Sequence, residues 1–355
     1  MAIKIHAYKD FSWDLHAAAG HKPIVAQMEL TYRCPLHCEH CYTDCFNYKN
    51  SAKDELSTGQ IKEILNKCKA DGTIWFYFTG GDPLMRKDFC ELYLHARKLG
   101  FITSVFSSLV SMNDKILELF RTFPPFNIET TLNAATPFTY KKVTGTDLFN
   151  RHVRSIKKLL SDDIPLRVKT QVTKQNFHEI DKIKRLVESF GLDFRPSTML
   201  HAGLDGDMHP CALRLEPKEA VFVNKRYGFF DDEESRPPGE TVDIKKLIGK
   251  PENGKLLTCA AGGHAFWISP LGKMLICGSL RLIDYDILKN GNSVREGFYE
   301  LYKKFHGLKF KTKSKCRLCK HKLICQWCAG RAFLETDSLE EHIDYFCRLT
   351  EETLA

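Results

Sequence analysis

Between residues 23 and 199, short strand-like runs alternate with longer amphipathic segments, and this alternation restricts the fold more than any other feature of the sequence. The strand-like runs are rich in β-branched and aromatic residues, whereas the segments between them carry apolar residues at helical spacing. Repeated βα units place their strands side by side in a parallel sheet. Six such units predict an α/β fold, a partial (β/α)6 barrel of the TIM type. The predicted strands are 24–30, 73–79, 101–107, 127–132, 166–173 and 192–198.

The helices expected between these strands end at residues that break helices. They are predicted over 58–70, 87–99, 114–123, 148–161 and 180–190. Beyond Met199 the alternation of strand-like and helical segments ends. The charged, proline-bearing stretch 231–240 is predicted to be a solvated loop. We therefore divide the chain into an N-terminal extension (1–22), the barrel (23–205), a bridging region (206–255), a cysteine-rich domain (256–350) and a tail (351–355).

The fourteen cysteines are concentrated in two places. Three lie within eight residues near the start of the chain, and seven lie between residues 259 and 347. In a reducing compartment, cysteines grouped in this way usually bind metal rather than form disulfides. The C-terminal group is surrounded by few long periodic segments, which favours a small domain folded around metal.

Hydropathy and charge exclude some classes of function. No run of eighteen or more apolar residues occurs, and the first residues are too polar for a signal peptide. We therefore expect a cytoplasmic protein that does not enter a membrane. The formal net charge is +8, which alone would favour an anionic partner. Because the basic residues look scattered, with no stripe interleaved with aromatic residues, nucleic-acid binding is not expected.

Cys34, Cys38 and Cys41 directly follow the first predicted strand, so they lie on a loop at the C-terminal end of that strand. In barrel folds this face carries the chemistry. Three thiolates at this spacing select iron-sulfur or zinc. A zinc site needs a fourth ligand, which Cys45 or His40 could supply, whereas a [4Fe-4S] cluster held by three thiolates keeps one iron open. On these residues alone, both alternatives stay open.

The spacing Cys-x3-Cys-x2-Cys resembles the motif of the radical S-adenosylmethionine (SAM) superfamily, and the resemblance extends over residues 23–205. It implies that Cys34, Cys38 and Cys41 hold a [4Fe-4S] cluster whose open iron is chelated by SAM. In that superfamily one electron cleaves the SAM sulfonium and yields a 5'-deoxyadenosyl radical. The cofactor supplies the chemistry, and the protein supplies position and exclusion of water.

Other strand ends are similar to SAM-contacting positions of the superfamily. Gly80, Gly81 and Asp82 resemble its Gly-Gly-Glu-Pro segment, which binds the SAM amino group, although Asp82 replaces the usual Glu. Glycines suit such a segment because the backbone approaches the ligand closely. Looser matches imply further SAM contacts, and for each of them a core or turn role is the alternative. These residues are Tyr42, Ser107, Ser108, Thr131, Asn133, Gln171 and Arg195.

The C-terminal cysteines resemble the SPASM domain, which carries auxiliary iron-sulfur clusters in part of the superfamily. Only the spacing between Cys325 and Cys328 is one residue shorter than usual. The resemblance implies three [4Fe-4S] clusters in total, and zinc ribbons are the alternative. The distal auxiliary cluster would be held by Cys316, Cys319, Cys325 and Cys347. The proximal one would be held by Cys259, Cys277 and Cys328, with either Cys211 or an open iron at the fourth position.

SPASM proteins mostly modify ribosomally made peptides, and the resemblance therefore implies a precursor peptide as substrate. The reaction would be a crosslink, an epimerisation or a residue excision, with formylglycine formation and tetrapyrrole chemistry in haem biosynthesis as alternatives. A non-enzymatic iron-sulfur or zinc protein is the alternative of another class. Only about 22 residues precede the first strand, too few for a leader-recognition domain. We therefore expect a separate recognition protein or direct binding, and a flavodoxin- or ferredoxin-type electron donor.

Overall fold

The computed structural model describes residues 21–49, 54–228, 249, 254–257, 261–289 and 291–355. All six predicted barrel strands are present, and each is shorter than its sequence pattern suggests. Three further strands follow in the C-terminal region. The strands are β1 (Val25–Glu29), β2 (Trp75–Thr79), β3 (Ile102–Phe106), β4 (Asn127–Thr131), β5 (Leu166–Gln171), β6 (Arg195–Ser197), β7 (Ala265–Ile268), β8 (Lys273–Leu275) and β9 (Tyr285–Asp286).

The nine strands form one sheet in the order β6-β5-β4-β3-β2-β1-β7-β8-β9. Strands β1 to β6 pair in parallel with their neighbours in the chain, so their C-terminal ends meet at one edge. At that edge Glu29 is opposite Thr79, and Gln171 is opposite Ser197. The predicted fold class, an α/β partial barrel of six parallel strands, is confirmed.

Seven helices connect or flank the barrel strands. Five were predicted from helical periodicity, whereas the short helices α1 and α5 were not. The helices are α1 (Asp44–Lys49), α2 (Thr58–Ala70), α3 (Phe89–Lys98), α4 (Asp114–Thr122), α5 (Pro137–Thr144), α6 (Phe149–Ser161) and α7 (Ile180–Glu188). The start of α5 is set by Thr136, whose side chain accepts a hydrogen bond from the Thr139 N–H, and by Pro137 in the first turn.

The two faces of the barrel strands differ in polarity because successive side chains point to opposite sides. On one face Ala26, Met28, Phe76 and Phe78 are buried against the surrounding helices. The opposite face, which lines the inside of the barrel, carries polar and aromatic side chains that are only half-buried, such as Tyr77. The hydrophobic core therefore lies between sheet and helices, and the interior of the barrel stays polar.

The C-terminal region continues the barrel sheet. Strand β7 pairs in parallel with β1, Val25 lying opposite Ala265, and β8 and β9 add antiparallel to it. Three helices complete this region: α10 (Val294–His306), α11 (Ala329–Thr336) and α12 (Asp344–Leu354). Because β7 occupies the free edge of β1, the cysteine-rich region and the barrel share one continuous sheet.

The described part of the bridging region contains two helices, α8 (His209–Ala212) and α9 (Pro217–Tyr227). Arg214 lies between them and forms a buried ion pair with Glu335 of α11, with 2.9 Å between Arg214 Nη1 and Glu335 Oε2. Its guanidinium also lies over the rings of Tyr345 and Phe346, at 4.7 and 4.9 Å. These contacts fasten the bridging region to the C-terminal helices.

Some predicted features lie outside the described residues. They include most of the N-terminal extension, the predicted solvated loop 231–240 and Cys259. Among the residues that the structure describes, no helix is long and apolar enough to cross a membrane.

Candidate functional site

The first cysteine loop, residues 34–41, begins at the C-terminal edge of the sheet and is held by two helices. On α1, Asn47 Oδ1 accepts a hydrogen bond from the Cys34 N–H (3.0 Å), and the Asn47 amide donates to the Cys34 carbonyl (3.2 Å). The His37 N–H donates to the carbonyl of Thr144 at the end of α5 (2.9 Å). The two helices that sequence periodicity misses are thus the ones that shape this loop.

The three thiols of the loop lie close enough to influence one another. Burial raises the pKa of the Cys38 thiol well above its usual range, and the nearby Cys41 and Cys34 thiols add to this effect. Burial also raises the pKa values of Cys34 and Cys41. Three thiols placed together away from water ionise only when a cationic centre offsets the cost. The donor set therefore fits an iron-sulfur cluster, which binds deprotonated cysteines.

The zinc alternative needs a fourth ligand, for which Cys45 and His40 are the candidates. His40 is turned towards Asn133, with 3.4 Å between His40 Nε2 and Asn133 Nδ2. Cys45 donates to the carbonyl of Tyr42 at 3.9 Å. Beside the loop, Cys38, Cys41 and Cys45 line a cavity of about 370 Å3.

Gly80 and Gly81 approach the backbone segment that leads into the cysteine loop. A Cβ atom on Gly80 would lie 2.3 Å from the Thr31 carbonyl oxygen, and one on Gly81 would lie 2.4 Å from the Arg33 oxygen. The Gly81 N–H donates to the Thr31 carbonyl at 2.8 Å. At both positions the protein's own backbone lies close, and the predicted approach to SAM stays a prediction. No larger residue would fit at either position.

Asp82 is fully buried, and both of its carboxylate oxygens are engaged. Oδ1 accepts from the Leu84 N–H (3.0 Å) and the Ser107 hydroxyl (2.9 Å), and Oδ2 accepts from the N–H (3.1 Å) and the hydroxyl of Ser108. A carboxylate offers about four acceptor positions. Burial raises the pKa of Asp82, and the serine hydroxyls act against that rise. Asp82 therefore joins the ends of β2 and β3 before any ligand is bound.

The other residues predicted to contact SAM fall into two groups. Ser107, Ser108, Thr131 and Gln171 lie at the C-terminal edge of the sheet, where Asn133 Oδ1 accepts from the Gln171 N–H at 2.8 Å. The Gln171 side chain in turn donates to the Ser197 carbonyl at 2.9 Å.

Arg195 and Tyr42 lie apart from that row. Arg195 is the first residue of β6 and pairs with Lys169, so it lies below the edge, and Ser197 occupies the edge position. Tyr42 packs beside His201, with ring centroids 4.9 Å apart.

In the C-terminal region, the four cysteines predicted to hold the distal cluster line one cavity of about 100 Å3. Cys316 and Cys319 come from a short 3-10 helix and its end, Cys325 from the following loop, and Cys347 from α12. Burial raises the pKa of Cys316 to about 12, and the thiols of Cys347, Cys325 and Cys319 add to it. The structure thus brings these four thiols together.

The residues predicted for the proximal cluster are described only in part. Gly330 in α11 packs closely on the loop that follows Cys277, since a Cβ there would lie 3.2 Å from Leu280 Cβ. Cys328 caps the same helix, its sulfur accepting from the Arg331 N–H at 3.4 Å. The start of α11 and the Cys277 loop are therefore neighbours.

Cys211 lies in α8 of the bridging region, and its role as a fourth ligand of the proximal cluster stays a prediction. Burial raises its pKa to about 12, and Arg214, Glu335 and Asp207 are the charged groups that act on it. Glu335 is two helical turns beyond Cys328 on α11, roughly 10 Å at 1.5 Å per residue. Cys211 is thus part of the Arg214–Glu335 ion-pair contact.

Residues 28–189 match the family model described as the radical SAM superfamily. This part of the chain is a radical SAM domain. The matched residues run from β1 to the end of α7 and contain the first cysteine loop, the Gly80–Gly81 turn and most of the strand ends described above.

Two kinds of curated relative resemble this radical SAM chain. An AdoMet-dependent heme synthase of Methanosarcina barkeri is 23% identical over 91% of this chain and 96% of its own length. A PqqA peptide cyclase of Rhodopseudomonas palustris is 25% identical over 77% of this chain and 73% of its own length. The PqqA peptide cyclase of Bradyrhizobium diazoefficiens is 24% identical, and the match covers 85% of this chain and 80% of that protein.

Solved structures share the fold. Streptococcus suis SuiB bound to the precursor peptide SuiA superposes with a TM-score of 0.69 at 16% identity, covering 96% of this chain and 80% of SuiB. The enzyme anSMEcpe with bound AdoMet gives a TM-score of 0.67 at 16% identity, covering 94% of this chain and 96% of that one. The similarity therefore extends beyond the radical SAM barrel into the cysteine-rich region.

Two ion pairs inside the radical SAM barrel are not predicted from the sequence. Glu29 ends β1 and pairs with Arg281 from the C-terminal region, with 3.0 Å between Arg281 Nη1 and Glu29 Oε2. Lys169 of β5 pairs with Glu129 of β4 at 2.6 Å, and its ammonium lies 5.8 Å from the centre of the Phe106 ring. A charged residue at the end of a predicted strand is the only sequence signal for Glu29.

Proposed function

We propose that this chain modifies a ribosomally made precursor peptide by radical SAM chemistry and uses three [4Fe-4S] clusters. The observation that carries the proposal is the pair of thiol sets in one chain, the three cysteines of loop 34–41 and the four around the distal cavity. The PqqA peptide cyclases among the relatives, and the fold shared with SuiB in its complex with SuiA, support a peptide as substrate.

The first thiol set has the donors that one cluster needs. Cys34, Cys38 and Cys41 would hold a [4Fe-4S] cluster, which supplies the electron for cleaving SAM when it is bound. Gly80 and Gly81 keep the loop against the strand edge, and Asp82 keeps the β3 end in place. The C-terminal strand edge of a barrel is where chemistry occurs in such folds.

The interior of the barrel provides the place for the substrate. It opens at the same edge, and its walls carry the Glu129–Lys169 ion pair and the tilted rings of Tyr77 and Phe106, whose centroids are 5.4 Å apart. Walls that carry both aromatic and charged groups suit a peptide segment, because its amides and side chains can contact groups of either kind. Pockets that bind flexible ligands commonly combine apolar surface with a few placed polar groups.

A tetrapyrrole is the second candidate substrate. The similarity to the AdoMet-dependent heme synthase covers 96% of that protein, more than the 73% and 80% covered in the two peptide cyclases. Arg195 and Arg167 point to the interior side of the sheet by strand alternation. Cations there would suit the carboxylates of a tetrapyrrole as well as those of a peptide.

The test begins with anaerobically reconstituted enzyme, which should contain about twelve irons if three four-iron clusters form. With dithionite and SAM it should release 5'-deoxyadenosine. Peptides encoded beside its gene and carboxylated tetrapyrroles are then supplied separately, and each product is analysed by mass spectrometry. A mass change in a peptide supports the proposal, whereas a change only in the tetrapyrrole replaces it with the second candidate. Zinc in place of iron would contradict both.

A further inference from the structure

Positive charge is concentrated in one stretch of the C-terminal region. Residues 301–334 contain ten lysines and arginines and no aspartate or glutamate. The ten positive charges of this stretch exceed the formal net charge of the whole chain, which is +8. The basic residues are therefore not scattered, as their overall distribution suggests, but gathered around the cysteines that line the distal cavity.

The structure places much of this charge on the surface. Lys311, Lys313, Lys315 and Lys320 are exposed, and two leucines beside them are exposed as well: Leu318 by 80% and Leu323 by 52%. We call these six residues the basic rim. Leu318 and Lys320 flank Cys319 in the chain, and Lys315 precedes Cys316. Three rim residues are thus direct chain neighbours of cysteines that line the four-thiol cavity.

The nearest acidic groups do not cancel this charge. The Glu340 carboxylate accepts hydrogen bonds from the backbone N–H groups of Lys311 and Thr312, each at 2.8 Å. Glu341 is paired with His342, which also contacts Asp344 at 3.1 Å. Glu351 lines the cavity itself. Of the rim lysines, Lys315 contacts His342, with 3.2 Å between Lys315 Nζ and His342 Nε2, and Lys311, Lys313 and Lys320 are exposed.

We propose that the basic rim is the docking surface for a small acidic one-electron carrier protein. This proposal rests on the proposed function, because it requires that the four distal cysteines hold a redox cluster. Exposed lysines around exposed leucines offer charge complementarity with a small apolar contact, which is typical of brief redox encounters with a small buried area. A carrier docked there would lie a few residues from the distal cysteines.

The alternative occupant, a single-stranded nucleic acid, is less well matched. Such ligands bind by stacking their bases on exposed aromatic rings within a basic groove. The two aromatic residues nearest the cavity, Phe310 and Trp327, are buried and stack on each other with centroids 6.0 Å apart. The apolar residues that the rim presents are leucines, which fit a protein surface.

The test measures binding of the iron-loaded enzyme to a purified flavodoxin of acidic isoelectric point by calorimetry, at low and at high salt. The rim variant combines Lys311→Glu, Lys313→Glu and Lys320→Glu. The control variant combines Lys98→Glu, Lys142→Glu and Lys157→Glu, three exposed lysines on barrel helices, so both variants change the net charge equally. Steering by charge should weaken with salt.

We expect the rim variant to bind about tenfold or more weakly and to lose the salt dependence, while the control variant binds within about twofold of the parent. Leu318→Ser with Leu323→Ser should weaken binding and keep the salt dependence. Equal weakening in both charge variants, no binding by the parent, or binding of an RNA oligonucleotide but not flavodoxin would overturn the proposal. Cleavage of SAM with dithionite, which needs no docking, is measured in parallel, so a failure of the proposed function is seen separately.

Discussion

The two cysteine sets, one in the radical SAM domain and one around the distal cavity, differ in the charge placed beside them. In the barrel, the carboxylate of Asp82 acts on Cys34 and raises the pKa of that thiol further after burial. Around the distal cavity the charged neighbours are mixed: buried Lys322 acts on Cys316 and Cys319, whereas Asp344 acts on Cys347 and Glu351 lines the cavity. The barrel thiols therefore have carboxylates beside them, whereas the distal thiols also have a buried cation.

This difference bears on the reduction potentials that the two sites would impose. A nearby negative charge makes it harder to add an electron to a cluster, and a nearby positive charge makes it easier. Cleavage of SAM needs a strongly reducing cluster, which fits the anionic surroundings of the barrel set. The distal set, with Lys322 inside and the basic rim outside, suits a cluster that accepts electrons readily.

The largest expected effect separates the two sets by function. Replacing Cys34, Cys38 and Cys41 with Ala should abolish 5'-deoxyadenosine formation and remove about four irons, because the other thiols remain in place. Iron content and 5'-deoxyadenosine are measured after reconstitution.

The matched control replaces Cys316, Cys319, Cys325 and Cys347 with Ala. It should also lose about four irons, yet retain detectable SAM cleavage. If the barrel variant still cleaves SAM, or if both variants lose all activity and all iron, the two sets are not separate sites.

A smaller effect is expected for Asp82→Ala. It leaves the donors of Ser107, Ser108 and Leu84 without their acceptor, and a hydrogen bond to a charged group contributes about 1.5–3 kcal/mol. SAM affinity should fall about tenfold or more, because Asp82 no longer holds the residues at the end of β3 in place. Equilibrium binding of SAM is the measurement.

Ser108→Ala and the double variant show whether Asp82 acts directly. If Asp82 works by positioning the serine, the losses in affinity should not add. Fully additive losses would instead place Asp82 itself against SAM, as the resemblance to the Gly-Gly-Glu-Pro segment implies.

The smallest effect is a change of potential at the distal site. Lys322 donates from Nζ to the Lys255 carbonyl at 2.6 Å and lies 4.5 Å from the centre of the Phe310 ring, and burial lowers its pKa. Lys322→Met should lower the reduction potential of the distal cluster by on the order of 50 mV, about a tenfold change in the equilibrium of a one-electron couple. Redox titration followed by electron paramagnetic resonance measures it, and exposed Lys320→Met should leave the potential nearly unchanged.

Patterns that repeat locally made most of the fold predictable. The strand and helix periodicity of residues 23–199 and the spacing of the cysteines depend on neighbours a few positions apart. The contact between Glu29 and Arg281, which are 252 residues apart, has no local pattern. The hydrogen bonds that Ser107 and Ser108, at the end of β3, donate to Asp82 also have no local pattern. Helices α1 and α5 are too short for periodicity to reveal, although they hold the first cysteine loop.

The parallel pairing of β1 with β7 has a consequence for the synthesis of the chain. Val25 leaves the ribosome roughly 240 residues before its partner Ala265, which at 5–20 residues per second is a wait of about 12–48 s. Once β2 has been made, β1 has β2 on one side and an unpaired edge on the other for the rest of that interval, and such edges recruit other strands. We therefore expect newly made chains to depend on a chaperone, and chains that stop before β7 to aggregate rather than accumulate as free barrels.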